Sequence, residues 1–384
     1  MNSDITYAKD KDNKKCAIVN YWWSDGHGAV LTAVALAEIV RQCGYTPWLI
    51  KTPTGKNGEW DNLEEGRNYK FASKYVNCAE LKYRTYEDYK KLNDDFDTFI
   101  LGSDQVFRLE WVPDEWFFNA IKYNKNLIAV SASFGINKIN NSKSRIRCVS
   151  RYLDRFNAIS LREKDGINVY KKYFGERENL AWVIDPVYLV DKKFYESMIS
   201  EEGKEEETFL FFYFLDRNEK AERAAEELQR KYNCKIVWET PDTTAEDFLY
   251  YMSRCKMVVT DSFHGSSFSV IFNKPFYCLL NEKRGIARIE SLKELCGLDD
   301  AVFVSYENIE NVDFAEPKID YERVDKNLEE VRRFGREWIK TAVVQPYKKP
   351  AVGILADEIN VSYCRACNKT VGYIRKIKRH LSRK

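Results

Sequence analysis

Short apolar runs rich in β-branched and aromatic residues alternate along this chain with amphipathic stretches. The runs CAIVN at 16–20, FDTFIL at 96–101, NLIAVSA at 126–132 and FNAIS at 156–160 predict strands buried on both faces. Ala29 to Cys43 carries apolar residues at helical spacing and stops at Gly44, which predicts a crossover helix and hence a parallel sheet. The rhythm restarts after the acidic stretch EEGKEEE at 201–207. It continues with TFLFFYFL, a helix over 219–232, CKIVWE, a helix over 244–253, KMVVT, a helix after His264, and PFYCLL. The pattern predicts an α/β protein of two Rossmann-like domains facing a cleft, with a linker near 190–207. The boundaries are 1–195 for the first domain, 196–345 for the second, and 346–384 for a C-terminal extension.

The length of 384 residues suits two such domains, and the hydrophobic content of 44% is enough for two cores. Lys and Arg number 61 against 59 Asp and Glu, so no long-range field argues for nucleic acid and any anion site must be local. The segment Met1–Lys15 has no apolar stretch, which predicts neither a secretory signal nor a membrane anchor, and so a cytoplasmic protein. Thr370–Lys384 sets Ile374, Ile377 and Leu381 on one stripe among Lys and Arg. It reads either as a peripheral contact with the inner face of the cell membrane or as a terminal helix packed on the body. Ten cysteines, several within apolar runs such as Cys16, Cys255 and Cys278, suit buried thiols in a reducing compartment. Cys364 and Cys367 form the one C-x-x-C, without the second pair that a structural zinc site needs, so no metal site is expected.

The chemistry concentrates in Lys256–Leu280, where a buried strand ends at Thr260, turns through Asp261 and Ser262, and starts a helix near Gly265. Backbone amides at a helix amino terminus hold phosphate or carboxylate, with the hydroxyls of Ser262, Ser266 and Ser267 in support. His264 sits in that field, and imidazole is the side chain best suited to proton transfer near neutral pH. Of the other two histidines, His380 reads as solvated. His27, with Gly28, lies in the glycine-rich turn after the first strand and reads equally as ligand contact or as turn structure.

The distributed motifs resemble one family, the polysaccharide pyruvyl transferases. TDSFHG at 260–265 with NKPF at 273–276 is similar to its most distinctive segment. LGSDQVF at 101–107, SASFG at 131–135, SLRE at 160–163, IDPVYLV at 184–190 and Arg288 in RGIARIESLKELCGL follow in the family's order, so the resemblance spans roughly residues 16–345. Two departures stand out: Gly26-His27-Gly28-Ala29 occupies the place of N-Y-G-A, and Phe107 replaces a frequent tryptophan.

The resemblance implies a GT-B-like arrangement with the acceptor side in the first domain and the donor side in the second. It further implies phosphoenolpyruvate as donor substrate, His264 as the catalytic residue, and a sugar acceptor, with a lipid-linked glycan as one form, in surface polysaccharide biosynthesis. Two anionic groups on the donor call for cationic clamps, for which Arg162, Arg284 and Arg288 are the candidates, with Gly265 to Ser267 taking part of the phosphate. Ser103, Asp104, Gln105, Glu163 and Asp185 are expected to line the site. No cofactor is expected, and metal dependence stays open. Trp22, Trp23 and Phe107 read as sugar-stacking aromatics or as core. Two other readings compete: a glycosyltransferase using a nucleotide sugar, and a catalytically idle glycan-binding relative.

Overall fold

The computed structural model describes residues 14–24, 26–51, 66–79, 86–200, 207–280, 287–306, 309, 312–345, 359, 361–364 and 366. Arg284, Cys367 and the basic stretch Thr370–Lys384 lie outside the described residues.

The first unit runs β1 (Lys15–Val19), α1 (His27–Gln42), β2 (Thr46–Ile50), α2 (Arg67–Tyr75), β3 (Asn77–Ala79), α3 (Tyr86–Asp95), β4 (Thr98–Leu101), β5 (Asn126–Ala132), α4 (Lys143–Leu153), β6 (Ala158–Leu161), α5 (Lys164–Phe174) and β7 (Leu180–Trp182). Its seven strands are all parallel in the order β3-β2-β1-β4-β5-β6-β7. A short helix α6 (Lys192–Glu196) leads to the second unit. That unit is β8 (Phe209–Tyr213), α7 (Glu219–Tyr232), β9 (Lys235–Trp238), α8 (Ala245–Arg254), β10 (Met257–Thr260), α9 (Phe263–Ile271), β11 (Phe276–Leu280), α10 (Ala287–Cys296) and β12 (Phe303–Ser305). Its five strands are parallel in the order β12-β11-β10-β8-β9. The expected pair of Rossmann-like units is therefore present, and strand order reverses once in each, beside β1 in the first sheet and between β8 and β10 in the second.

Local sequence explains where several elements start and stop. Gly44, at φ +84°, turns the chain out of α1 in a backbone conformation that residues with a Cβ avoid. Thr244 and Asp247 form a reciprocal capping box at the start of α8. Asn218 caps α7, which ends at Asn233 in the left-handed region.

One hydrophobic core runs through both units. It joins Val30, Leu31, Val34 and Leu36 of α1 to Phe211 of β8, Phe248 of α8 and Phe268 of α9. That is why α1 is apolar nearly all round: one side covers its own sheet and another meets the second unit. Across the same interface Arg67 donates to the carbonyls of Pro241 and Thr243, and Lys74 pairs with Glu246 at 2.5 Å. Helix α11 (Tyr321–Val344) then returns to the first sheet, where Asn126 Nδ2 donates to Ala342 O at 2.9 Å. Val361 and Cys364 also end buried in the core of the first unit.

Burial pushes the thiols of Cys255 and Cys278 up to about 12, so neither is a nucleophile near neutral pH. Among the described residues no group of three or more His, Cys, Asp or Glu is placed to hold a metal ion, and no helix is long and apolar enough to cross a membrane.

Candidate active site

Loops diverge to opposite faces where strand order reverses, leaving a crevice beyond the strand ends. Here the crevices of the two sheets meet. Ser24, Gly26, Gly28 and Ala29 of the β1–α1 turn and Asp104 and Gln105 after β4 form one wall. Tyr213 at the end of β8, Leu215 beyond it and Asp261 to His264 after β10 form the other, with Arg288 and Ile289 of α10 on the rim, around a cavity of about 160 Å³.

The second wall is tied down before it carries any chemistry. Thr260 Oγ1 donates to Tyr213 O at 2.6 Å and accepts from Ser262 N at 3.0 Å. The Asp261 carboxylate accepts from the amides of Leu215 and Asp216 and from the Tyr306 hydroxyl, locking the β8 end to the β10 end. Helix α9 begins at Phe263, two residues before the start expected near Gly265, which puts His264 inside its first turn. Gly265 is there for packing: a Cβ would fall 2.2 Å from Thr260 Oγ1 and 2.9 Å from Tyr213 Cδ1. The hydroxyls of Ser266 and Ser267 donate to the carbonyls of Ser262 and Phe263, and both residues are fully buried. Neither lines the cavity, whereas Ser262 does.

His264 reaches across to the first unit. Its Nε2 lies 3.2 Å from Thr32 Oγ1 and 3.6 Å from Asp185 Oδ2. The Thr32 hydroxyl has one proton and gives it to Asp185 Oδ1 at 3.2 Å, so toward His264 it acts as acceptor and Nε2 as donor. Nδ1 is then the ring nitrogen able to exchange a proton with a bound molecule. The ring rests on Gly28, where a Cβ would come within 2.1 Å of Nδ1 and 2.2 Å of Cγ. Nothing in the sequence marks Thr32 directly. An indirect signal was present, since Thr32 follows Gly28 by four residues and so shares its face of α1.

Asp185 opens a 3-10 turn at Pro186 and is wholly buried. Besides Thr32 it accepts from Ser103 Oγ at 3.2 Å, Arg162 Nη1 at 2.9 Å and Val187 N at 3.1 Å. Burial by itself would raise this carboxyl. The His264 imidazole beside it and the charge of Arg162 outweigh burial and hold it well below the usual carboxylate range.

Arg162 lies among carboxylates: Asp185, Glu163 at 3.0 Å through Nε, and Asp104 at 3.6 Å from Nη2. Burial would lower its affinity for the proton, and these three anions more than reverse that. Glu163 also accepts from Ser133 Oγ at 2.8 Å. Phe263 stands between Arg162, whose guanidinium is 4.9 Å from the ring centre, and Arg288, 6.0 Å away. Of the three arginines singled out in the sequence, Arg288 lines the cavity and Arg162 lies behind Phe263.

Asp104 adopts φ +87°, an uncommon value for a residue with a side chain and one that concentrates at functional sites. Its carbonyl accepts from Val106 N and Ser133 N, which holds that geometry. Gln105 points its Oε1 toward Gly135 and accepts from Arg108 Nη1 at 3.1 Å.

His27 is fully buried, stacked on Phe248 at 5.2 Å, with Nε2 3.3 Å from Glu239 Oε1. That separation lacks hydrogen-bond alignment, and both ring nitrogens go without a well-formed partner. The residue sits in the interface between the units and does not line the cavity. Trp22 and Phe107, read as sugar-stacking aromatics or core, are 0% and 1% exposed, so both are core.

Solved structures similar to the chain include UDP-GlcNAc 2-epimerase from Neisseria meningitidis bound to UDP-GlcNAc, at 11% identity and TM-score 0.48 over 86% of this chain and 97% of that one. The Anabaena protein HepE in complex with UDP and glucose matches at 10% identity and TM-score 0.46, over 92% and 100%. Sucrose-phosphate synthase from Thermosynechococcus elongatus matches at 10% identity and TM-score 0.43, over 96% and 100%. Comparison with curated proteins finds no match. The family model described as polysaccharide pyruvyl transferase matches residues 27–283, which takes in α1, the Asp185 turn and the His264 turn. With well over half of its length matched to that family, the chain belongs to the polysaccharide pyruvyl transferases.

Proposed function

We propose that the protein transfers the pyruvyl group of phosphoenolpyruvate to two hydroxyls of one sugar, forming a pyruvate ketal. The observation that carries this reading is the fixed imidazole: Nε2 of His264 is engaged by Thr32 and Asp185 while Nδ1 remains for the cavity. Protonated His264 gives its Nδ1 proton to the donor methylene, which becomes a methyl group, and C2 takes on oxocarbenium character. A sugar hydroxyl adds to C2 and returns its proton to His264. The C2–O bond to phosphate then breaks, the second hydroxyl closes the ketal, and its proton leaves with inorganic phosphate.

Asp185 keeps the ring oriented and offsets its charge when protonated. Arg288 on the rim and the first-turn amides of α9 are the groups suited to the donor's carboxylate and phosphate. Arg162 acts one layer back, since its charge is already balanced by Asp185, Glu163 and Asp104.

The test is thermal unfolding with phosphoenolpyruvate, inorganic phosphate and a panel of nucleotide sugars, because a ligand bound only by the native state raises the melting temperature. Stabilisation by phosphoenolpyruvate that is lost in Arg288→Gln is the expected result. A response to a nucleotide sugar with none to phosphoenolpyruvate overturns the reading and makes the protein a glycosyltransferase.

A further inference from the structure

A sugar donating two hydroxyls needs a surface for its apolar ring face; Trp22 and Phe107 are core, and Trp23 is half-buried with its ring edge-on to Trp22 and Trp116. The structure instead exposes Trp111, at 54% the most open tryptophan among the described residues. It is held in place rather than loose. Its amide donates to Arg108 O at 2.9 Å, closing a turn that brings the indole under the Arg108 guanidinium, with Arg108 Cζ 4.1 Å from the ring centre. Arg108 in turn donates from Nη1 to Gln105 Oε1 at 3.1 Å, and Gln105 lines the cavity. An unbroken polar path thus joins the cavity wall to the indole. A cation lies over the indole ring, and the residue is more than half exposed.

An aromatic face flanked by charged and amide side chains is the surface that carbohydrate rings select. The C–H bonds of a pyranose lie on the π-face while its hydroxyls reach the polar groups beside it. We infer that Trp111, with Arg108 and Gln105, is a pyranose subsite on the wall of the first unit, seating the acceptor so that its hydroxyls face the His264 cavity. The inference rests on the proposed transfer for the word acceptor. The sugar site itself is tested without any donor.

The experiment is saturation-transfer NMR on the full chain with the methyl β-glycosides of glucose, galactose, mannose and N-acetylglucosamine, using wild type, Trp111→Ala, Trp111→Phe and Arg108→Gln. Expected is saturation of ring C–H protons for at least one glycoside, with affinity about tenfold lower in Trp111→Ala and largely kept in Trp111→Phe. Arg108→Gln should fall between them. Equal binding by wild type and Trp111→Ala overturns the assignment, and so does the absence of binding to all four glycosides. Phosphoenolpyruvate is scored separately by melting temperature, so a protein that binds pyranose through Trp111 but ignores the donor keeps this site and loses the proposed reaction.

Discussion

Nε2 of His264 lies 3.6 Å from Asp185 Oδ2, and the two residues belong to opposite sides of the cleft, α9 of the second unit and the Pro186 turn after the first sheet. The imidazole therefore meets Asp185 and Thr32 only while the units are closed on each other. Asp185→Asn keeps the shape but presents an uncharged group to the ring. It is expected to lower kcat roughly a hundredfold with little change in the KM for phosphoenolpyruvate. Thr32→Val removes the hydroxyl that joins Asp185 to His264, and with it two hydrogen bonds, for an expected loss of about tenfold. Steady-state phosphate release measures both. Equal activity in Asp185→Asn would leave His264 without an orienting partner and remove the proposed general acid.

Gly28 offers a test whose sign differs between a structural and a catalytic role. The residue is helical, so alanine should stabilise α1 by about 0.5–1 kcal/mol on propensity alone. Its Cβ, however, would stand 2.2 Å from His264 Cγ, and the ring must move. Gly28→Ala is expected to lose at least tenfold in kcat. The double variant Gly28→Ala/His264→Gly should melt higher than His264→Gly alone, since the ring and its Cβ are then both gone. A Gly28→Ala protein with full activity would mean that the ring has more room than the Gly28 contact allows.

The sequence carried the fold well where its signals were long and the site well where motifs were contiguous. Helices at 219–232 and 244–253 lie within one residue of α7 and α8 because amphipathic spacing and capping residues agree there. The strands β3, β7 and β12 escaped, being three residues each, too short for any period, and β2 carries Pro47, which speaks against a strand inside a sheet. At the site, His264, Asp185 and Arg162 come from separate motifs, and nothing in their spacing says that they touch. Ser266 read as an anion ligand because serine at a helix start often is one. Its hydroxyl turned instead to the Ser262 carbonyl, a choice made by which face of α9 packs inward. Trp111 went unnoticed because exposure is a property of the folded chain.

Arg162 and Arg288 look alike in sequence and should behave oppositely. Removing Arg162 strips the counter-charge from Asp185, Glu163 and Asp104 in a buried place, so Arg162→Leu is expected to destabilise by about 3–5 kcal/mol. Arg288 stands half-buried on the rim, and Arg288→Gln should change stability by about 1 kcal/mol or less while raising the KM for phosphoenolpyruvate at least tenfold. Chemical denaturation alongside kinetics separates the two. A large stability loss in Arg288→Gln with KM unchanged would exchange the roles of the two arginines.

His27 gives the interface a pH dependence that can be worked out in sign. Burial lowers its affinity for a proton, and this outweighs the opposing pull of Glu239, while the charge of Arg67 adds to the lowering and that of Asp247 opposes it. The folded-state value is therefore below the unfolded value of about 6.5. Above that unfolded value neither state is protonated and the buried ring costs nothing through protonation. As pH falls below it, the unfolded chain takes up a proton that the folded protein refuses, so stability is lost until the lower folded value is reached. The melting temperature of the wild type should fall between pH 7 and pH 5 more steeply than that of His27→Phe, which keeps the stack on Phe248 and cannot titrate. The interface between the units should loosen with it, read as lower amide protection factors, corrected for the intrinsic pH dependence of exchange, in α1 and α8 at the lower pH in the wild type alone. Parallel melting curves for the two proteins across this range would show that Glu239 and His27 already share a proton in the folded state, and the lowered affinity assigned to His27 would be withdrawn.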